Sequence, residues 1–153
     1  MILIKNKQRK YPIDGAYVRA MVAAVLVQLG YADWDVGIWF ASSATIAHYN
    51  RDYRSKRGPT DILSFPYYQA RKPGVLCVKP GSDEQNIGDM IICPSFLYTH
   101  ERWADVAVDD RLAIVLVHGL CHLVGYDHET DADYALMHKK EIALLSFLKK
   151  TGN

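Results

Sequence analysis

The stretch from Leu112 to Val124 is apolar on nearly every side of the helix it predicts, through Leu112, Ile114, Val115, Leu116, Val117, Leu120, Cys121 and Leu123. A helix without a polar face has to be surrounded, so the chain must build its core around this segment. Asp109 and Asp110 suit the positive end of a helix running from about Asp109 to Val124. Two polar residues, His118 and His122, interrupt it. At i and i+4 they share one face, roughly 6 Å apart at Cβ, and left unpaired each would cost on the order of 1–3 kcal/mol. Two imidazoles so placed can grip one metal ion. Gly125 then allows the left-handed turn that ends a helix, which lets His128 point at the same ion. Three neutral imidazoles leave a fourth position open, as in a catalytic zinc site. His118, His122 and His128 are thus the candidate ligands, with one Zn2+ as the default ion and other divalent metals accepted by the same set.

The spacing H-x-x-x-H-x-x-G-x-x-H is that of a class of zinc proteases, which carry glutamate directly after the first histidine. Here that position is Gly119. Without the carboxylate, amide cleavage forgoes roughly 10²–10⁴-fold of acid–base catalysis. Glycine inside a helix also costs about 1 kcal/mol relative to alanine, so Gly119 predicts a close approach by another backbone or by substrate. Cys121 reads as a small core residue in preference to a fourth ligand. Asp127 is a candidate outer carboxylate or proton carrier, or merely a turn residue. His48, His100 and His138 lack metal spacing and read as surface or structural.

The 153 residues, 50% hydrophobic and 23% charged, predict one globular domain over 1–153 with a single core. Strands are expected at Ile2–Ile4, Asp35–Ala41, Asp61–Phe65 and Asp89–Cys93. Helices are expected at Ala16–Leu29 with Tyr17, Met21, Val25 and Leu29 inward, at Ala44–Tyr53 capped by Ser42 or Ser43, and at Pro94–Tyr98. A last helix, Asp131–Lys150, has Tyr134, Met137, Leu144, Leu145 and Leu148 as its inner face. Gln69–Asn86, with Pro73, Gly74, Pro80 and Gly81, reads as a long loop. The fold class is α+β: a small mixed four-stranded sheet with about five surrounding helices, the central buried one carrying two metal-binding histidines. Three cysteines without a C-x-x-C pair argue against a disulfide framework and suit a reducing compartment. The N-terminus does not read as a secretory signal, and no apolar run is long enough for a membrane span. These features predict a cytoplasmic protein without membrane association.

A net charge of +1 confines any nucleic-acid surface to a local patch. The cations cluster in one place, "NRDYRSKRGPTD", with Arg51, Arg54, Lys56 and Arg57 among Tyr49 and Tyr53. On composition alone this is a solvated helix end and turn. Beside a metal it acquires a second meaning. Phosphodiester cleavage needs a metal plus a fixed cation to stabilise charge on phosphate oxygens, and a guanidinium holds phosphate at two points. Aromatic faces stack on unpaired bases.

"HGLCHLVGYDH" resembles the H-G-x-L-H-L-x-G-Y-D-H signature of the YbeY family of metal-dependent endoribonucleases of rRNA maturation. "NRDYRSKRGPTDILSFP" resembles its N-x-x-Y-R…P-T-D-V-L-S-F-P block, and "NIGDMIIC" its L-G-D-I-x-I block. The resemblance spans about Asn50 to His128 in three ordered blocks. It implies a single-strand endoribonuclease acting in small-subunit rRNA 3′-end maturation and ribosome quality control, with the small ribosomal subunit and its assembly factors as partners. By the same resemblance, His118, His122 and His128 are the ligands, His118 and Arg54 are catalytic, and Asp61, Ser64 and Asp89 organise the site or a partner surface. The chain departs from the pattern at Cys121, where leucine is common, and in the loop Gln69–Asn86. A cysteine there is similar to organellar and eukaryotic members, which leaves a mitochondrial setting open for a eukaryotic source. Two other function classes stay in view: a zinc metallopeptidase, resting on the ligand spacing alone, and a non-catalytic ribosome-assembly factor with structural zinc.

Overall fold

In β2 (Asp35–Phe40), Val36, Ile38 and Phe40 are buried and alternate with Gly37 and Trp39 on the opposite face, the period-two pattern of a strand with one face on a core. In this computed structural model, which describes residues 1–78 and 84–152, β2 lies inside a four-stranded sheet ordered β1-β2-β6-β3. β1 (Ile2–Asn6) and β6 (Asn86–Ile92) flank it in parallel, and β3 (Ile62–Pro66) closes the sheet antiparallel to β6. The sheet is mixed and four-stranded, as the sequence predicts. β3 is an edge strand, so one side of its backbone is open to whatever lies beside it.

Local chemistry sets the helix ends. α1 (Gly15–Leu29) starts where the Asp14 side chain accepts the Tyr17 N–H at 3.1 Å, and stops at Gly30, whose φ of 87° is left-handed. α2 (Ser43–Arg54) is capped by Ser42, which accepts the Thr45 N–H. α3 (Pro94–Thr99) opens with proline in its first turn. α4 (Val108–Leu123) is the central helix, with Asp109 and Asp110 in its first turn, and α5 (Asp131–Lys150) has the expected bounds. α4 packs on β3, β6, α1, α3 and α5. Leu116, Val117, Leu120, Cys121 and Leu123 are each 0% exposed.

Three expectations need correction. Tyr17 is 37% exposed and Tyr134 57% exposed. α1 buries Met21, Val25 and Leu29 as expected, together with Val18, Val22 and Leu26, and Tyr134 stacks on His138; a tyrosine on an amphipathic helix keeps its wet hydroxyl end outward. The segment Gln69–Asn86 is not a plain loop. It holds a hairpin of β4 (Ala70–Lys72) and β5 (Val75–Leu76), and Asn86 already begins β6. Residues 79–83, Pro80 and Gly81 included, lie outside the described residues. The hairpin is held from elsewhere. The Tyr31 hydroxyl donates to the Gly74 carbonyl at 2.9 Å and accepts the Leu76 N–H at 3.0 Å, and the Gly74 N–H donates to Val124 O at 2.9 Å. It therefore props the end of α4, next to the turn that carries His128.

Candidate metal centre and cleft

His118 and His122 lie on one face of α4 with their Nε2 atoms 3.1 Å apart. After α4, Gly125 has φ of 101°, and a Cβ on it would stand 2.2 Å from Ala70 Cβ. The position thus needs glycine both for its left-handed backbone and for room against the hairpin. The turn brings His128 back, and one ligand nitrogen from each of the three residues falls within 4.8 Å of the other two.

Each helical imidazole is fixed from behind. His122 Nδ1 is 2.9 Å from the Tyr126 carbonyl. A carbonyl only accepts, so the proton sits on Nδ1 and the Nε2 lone pair faces its neighbours. Burial pushes the His122 pKa down to about 4, helped by the charges His118 and His128 would carry and opposed by the Tyr126 hydrogen bond and Glu141. His122 is therefore neutral over the physiological range, as a metal ligand has to be. His118 Nδ1 lies 3.1 Å from Glu141 Oε2, the carboxylate–histidine pairing that orients metal-bound imidazoles. The three imidazoles could hold a single divalent ion.

Directly beside the histidines, α4 seats on the sheet. A Cβ on Gly119 would meet Met90 Sδ at 2.3 Å and Ile62 Cδ1 at 2.6 Å. The close approach foreseen there is by side chains of the sheet, not by backbone or substrate. A glutamate at 119 would be driven into packed core. Cys121 is 0% exposed, and burial, followed by the Glu141 charge, holds its thiol pKa up near 12. It stays protonated and lies outside the ligand set.

The imidazoles open into a cleft of about 870 Å3 along the β3 edge. Arg54, at the last turn of α2, lines the same cleft, and Ser55 behind it adopts φ of 55°. Four cations line the cleft, Arg54, Lys56, Arg57 and Arg102, against two carboxylates, Asp61 and Asp127. Arg51 points elsewhere, toward His48 and Asp52. Among the described residues nothing pairs with the Arg54 guanidinium, whereas Asp61 Oδ1 accepts the Ile62 N–H at 2.8 Å and its Oδ2 accepts the Trp103 indole N–H at 3.1 Å. Ser64 Oγ, also on the cleft wall, is buried without a hydrogen-bond partner. Asp89 is not in this cleft; it lies on the opposite sheet face. His100 accepts the Arg102 N–H, and His48 and His138 are also outside the metal group.

Sequence reasoning missed Glu141, the Tyr126 carbonyl and Arg102. Glu141 left a trace: 137, 141, 144 and 148 share one face, and the other three positions are the buried residues of α5. A carboxylate in a buried stripe implies a partner. Arg102 left none, since its guanidinium reaches the cleft by stacking over Phe96, 5.1 Å from the ring centroid.

The family model described as Endoribonuclease YbeY matches residues 3–149. The chain belongs to the YbeY family. A human protein named Endoribonuclease YbeY is 36% identical over 152 residues, covering 99% of this chain and 90% of that protein. An Endoribonuclease YbeY of Alteromonas mediterranea is 38% identical over 125 residues, covering 82% of this chain and 73% of its own. A Thermotoga maritima protein known from a solution structure superposes with a TM-score of 0.56 at 22% identity, over 99% of this chain and 93% of that one, a likeness of fold. Among the described residues no helix is long and apolar enough to cross a membrane.

Proposed function

We propose that residues 1–153 form one metal-dependent endoribonuclease domain that cuts single-stranded RNA. The observation that carries this reading is the shared cleft: a three-imidazole cage and an unpaired guanidinium, Arg54, line one cavity with an excess of cations. Held by His118, His122 and His128, a zinc ion would supply Lewis-acid stabilisation of charge on the phosphate. Arg54 grips the phosphate oxygens at two points, while Lys56, Arg57 and Arg102 hold the flanking backbone. Tyr53, 66% exposed at the rim, offers a ring on which an unpaired base stacks, which favours single strands over duplex. Both Asp61 oxygens are already engaged. Asp127 Oδ1 accepts the Glu129 N–H, so its Oδ2 is the cleft carboxylate oxygen left to hold a proton.

The three sequence blocks and the YbeY relatives support a finer reading: cleavage at the 3′ end of small-subunit rRNA and quality control of ribosomes, in the cytoplasm, with the small subunit and its assembly factors as partners. A mitochondrial setting goes with a eukaryotic source, given the human relative. A peptidase reading lacks the motif's glutamate, because position 119 is a glycine packed against Met90 and Ile62.

The test is cleavage of an end-labelled single-stranded RNA by zinc-loaded protein. His118→Ala should abolish both cleavage and zinc retention. Arg54→Ala should lower kcat/KM by about 10²–10³-fold and leave zinc content unchanged. Cleavage that survives both substitutions overturns the reading.

A further inference from the structure

The sheet face opposite α4 carries a second cavity, of about 440 Å3, within the roughly 300–1,000 Å3 of small-ligand sites. Strand register explains its floor. Leu3, Gly37, Asp89 and Phe65 form one row across the four strands, and Lys5, Trp39 and Ile91 belong to the next. Gly37 leaves a gap in the first row. A Cβ there would stand 2.1 Å from Asp89 Oδ1, so the Asp89 carboxylate leans across the glycine, along the floor. α2 supplies the wall. Trp39 meets Tyr49 edge-on at 5.5 Å, Tyr49 stacks on Tyr53 at 6.0 Å and 10°, and Tyr53 meets Phe65 at 5.2 Å.

Two features single this cavity out from an ordinary apolar dimple. Its polar groups are unused: the Trp39 indole N–H is buried without a partner, and no hydrogen bond or ion pair to Asp89 or the Lys5 ammonium occurs among the described residues. It also adjoins the metal cleft at the β3 edge, since Tyr53 and Phe65 each line both cavities. An RNA strand leaving the cleft past Tyr53 meets this pocket next.

We propose that the pocket receives one nucleobase of the bound RNA outside the cleavage point, and that Asp89 makes guanine the preferred base. Aromatic walls accept any base face. Guanine alone among the four RNA bases presents two adjacent N–H donors on one edge, which matches the two oxygens of a carboxylate. Lys5 answers the adjoining phosphate, and the Trp39 ring, which lines the pocket, reports its occupancy. The role of the base as part of a substrate rests on the endoribonuclease reading; the pocket's chemistry does not.

The probes are the four nucleoside 5′-monophosphates, titrated into the full-length protein while the indole N–H resonances are followed by NMR, Trp39 being assigned with Trp39→Phe. GMP should shift the Trp39 signal and bind about tenfold more tightly than AMP, CMP or UMP. Asp89→Asn should bring the four affinities within about twofold, and Gly37→Val should remove the Trp39 shift. His118→Ala should leave GMP binding intact while cleavage is lost, so a failed nuclease reading and a failed pocket are told apart. A Trp39 signal unmoved by every nucleotide overturns the proposal. Equal affinities for all four in the unsubstituted protein overturn the guanine selection.

Discussion

The two halves of the cleft are built in opposite ways. On the α4 side, two imidazoles stand on a helix with a fully buried flank, and each is tied through Nδ1 to a second group, Glu141 or the Tyr126 carbonyl. On the α2 side, Arg54, Lys56 and Arg57 are exposed at a helix end and in the turn behind it. Holding three ligands on one ion would tolerate little movement, and these second groups fix two of the three imidazoles. Gripping a polyanion would tolerate more, because exposed side chains keep rotamer entropy that a ligand has to remove.

The contrast can be broken most severely from below. Gly119→Glu places a carboxylate against Met90 and Ile62 and should destabilise the fold by about 3 kcal/mol or more, read as a lower denaturation midpoint. Unchanged stability would mean that α4 does not seat on the sheet as described. Glu141→Gln should leave the fold intact and weaken zinc binding by about 10–100-fold, as measured by competition with a chelating dye; an unchanged affinity would strip Glu141 of its orienting role.

The rigid side also carries a pH signature. In metal-free protein the folded His122 pKa is about 4, below its ordinary value near 6.5. As pH falls through this window the unfolded chain takes up the proton first, so stability declines from about pH 6.5 down to about pH 4 and His122 contributes no slope above it. Urea midpoints across that range should follow this trend, and His122→Asn should flatten it. The smallest effect belongs to the soft side. Lys56→Ala should reduce the slope of log K against log salt for single-stranded RNA by about 0.7, with no loss of zinc.

Most of the metal centre was legible because it is local. The i, i+4 spacing, the apolar flanks of α4 and the glycine at 125 are properties of seventeen consecutive residues, Leu112 to His128, and helix geometry converts them into three converging imidazoles. The caps at Asp14 and Ser42 and the stop at Gly30 were legible for the same reason. The β4–β5 hairpin was not, because strands of three and two residues hold their shape through Tyr31 and Val124, which lie far away in sequence. The exposure of Tyr17 and Tyr134 escaped too, since helical periodicity marks a stripe but not how far the neighbouring helix reaches.

By itself, then, the sequence determined the candidate ligand set, the order of the main elements and the presence of a cationic segment, all fixed by short-range backbone geometry and side-chain chemistry. Tertiary packing decided which side of α4 faces the cleft. It thereby turned Gly119 from a missing base into a contact with Met90 and Ile62, placed Glu141 of α5 behind His118, and brought Arg54 from a segment more than sixty residues earlier to the same cavity. Those outcomes depend on how whole elements stack. The burial of a face by its neighbours is a free energy shared among many residues, and no local stretch of the chain encodes it alone.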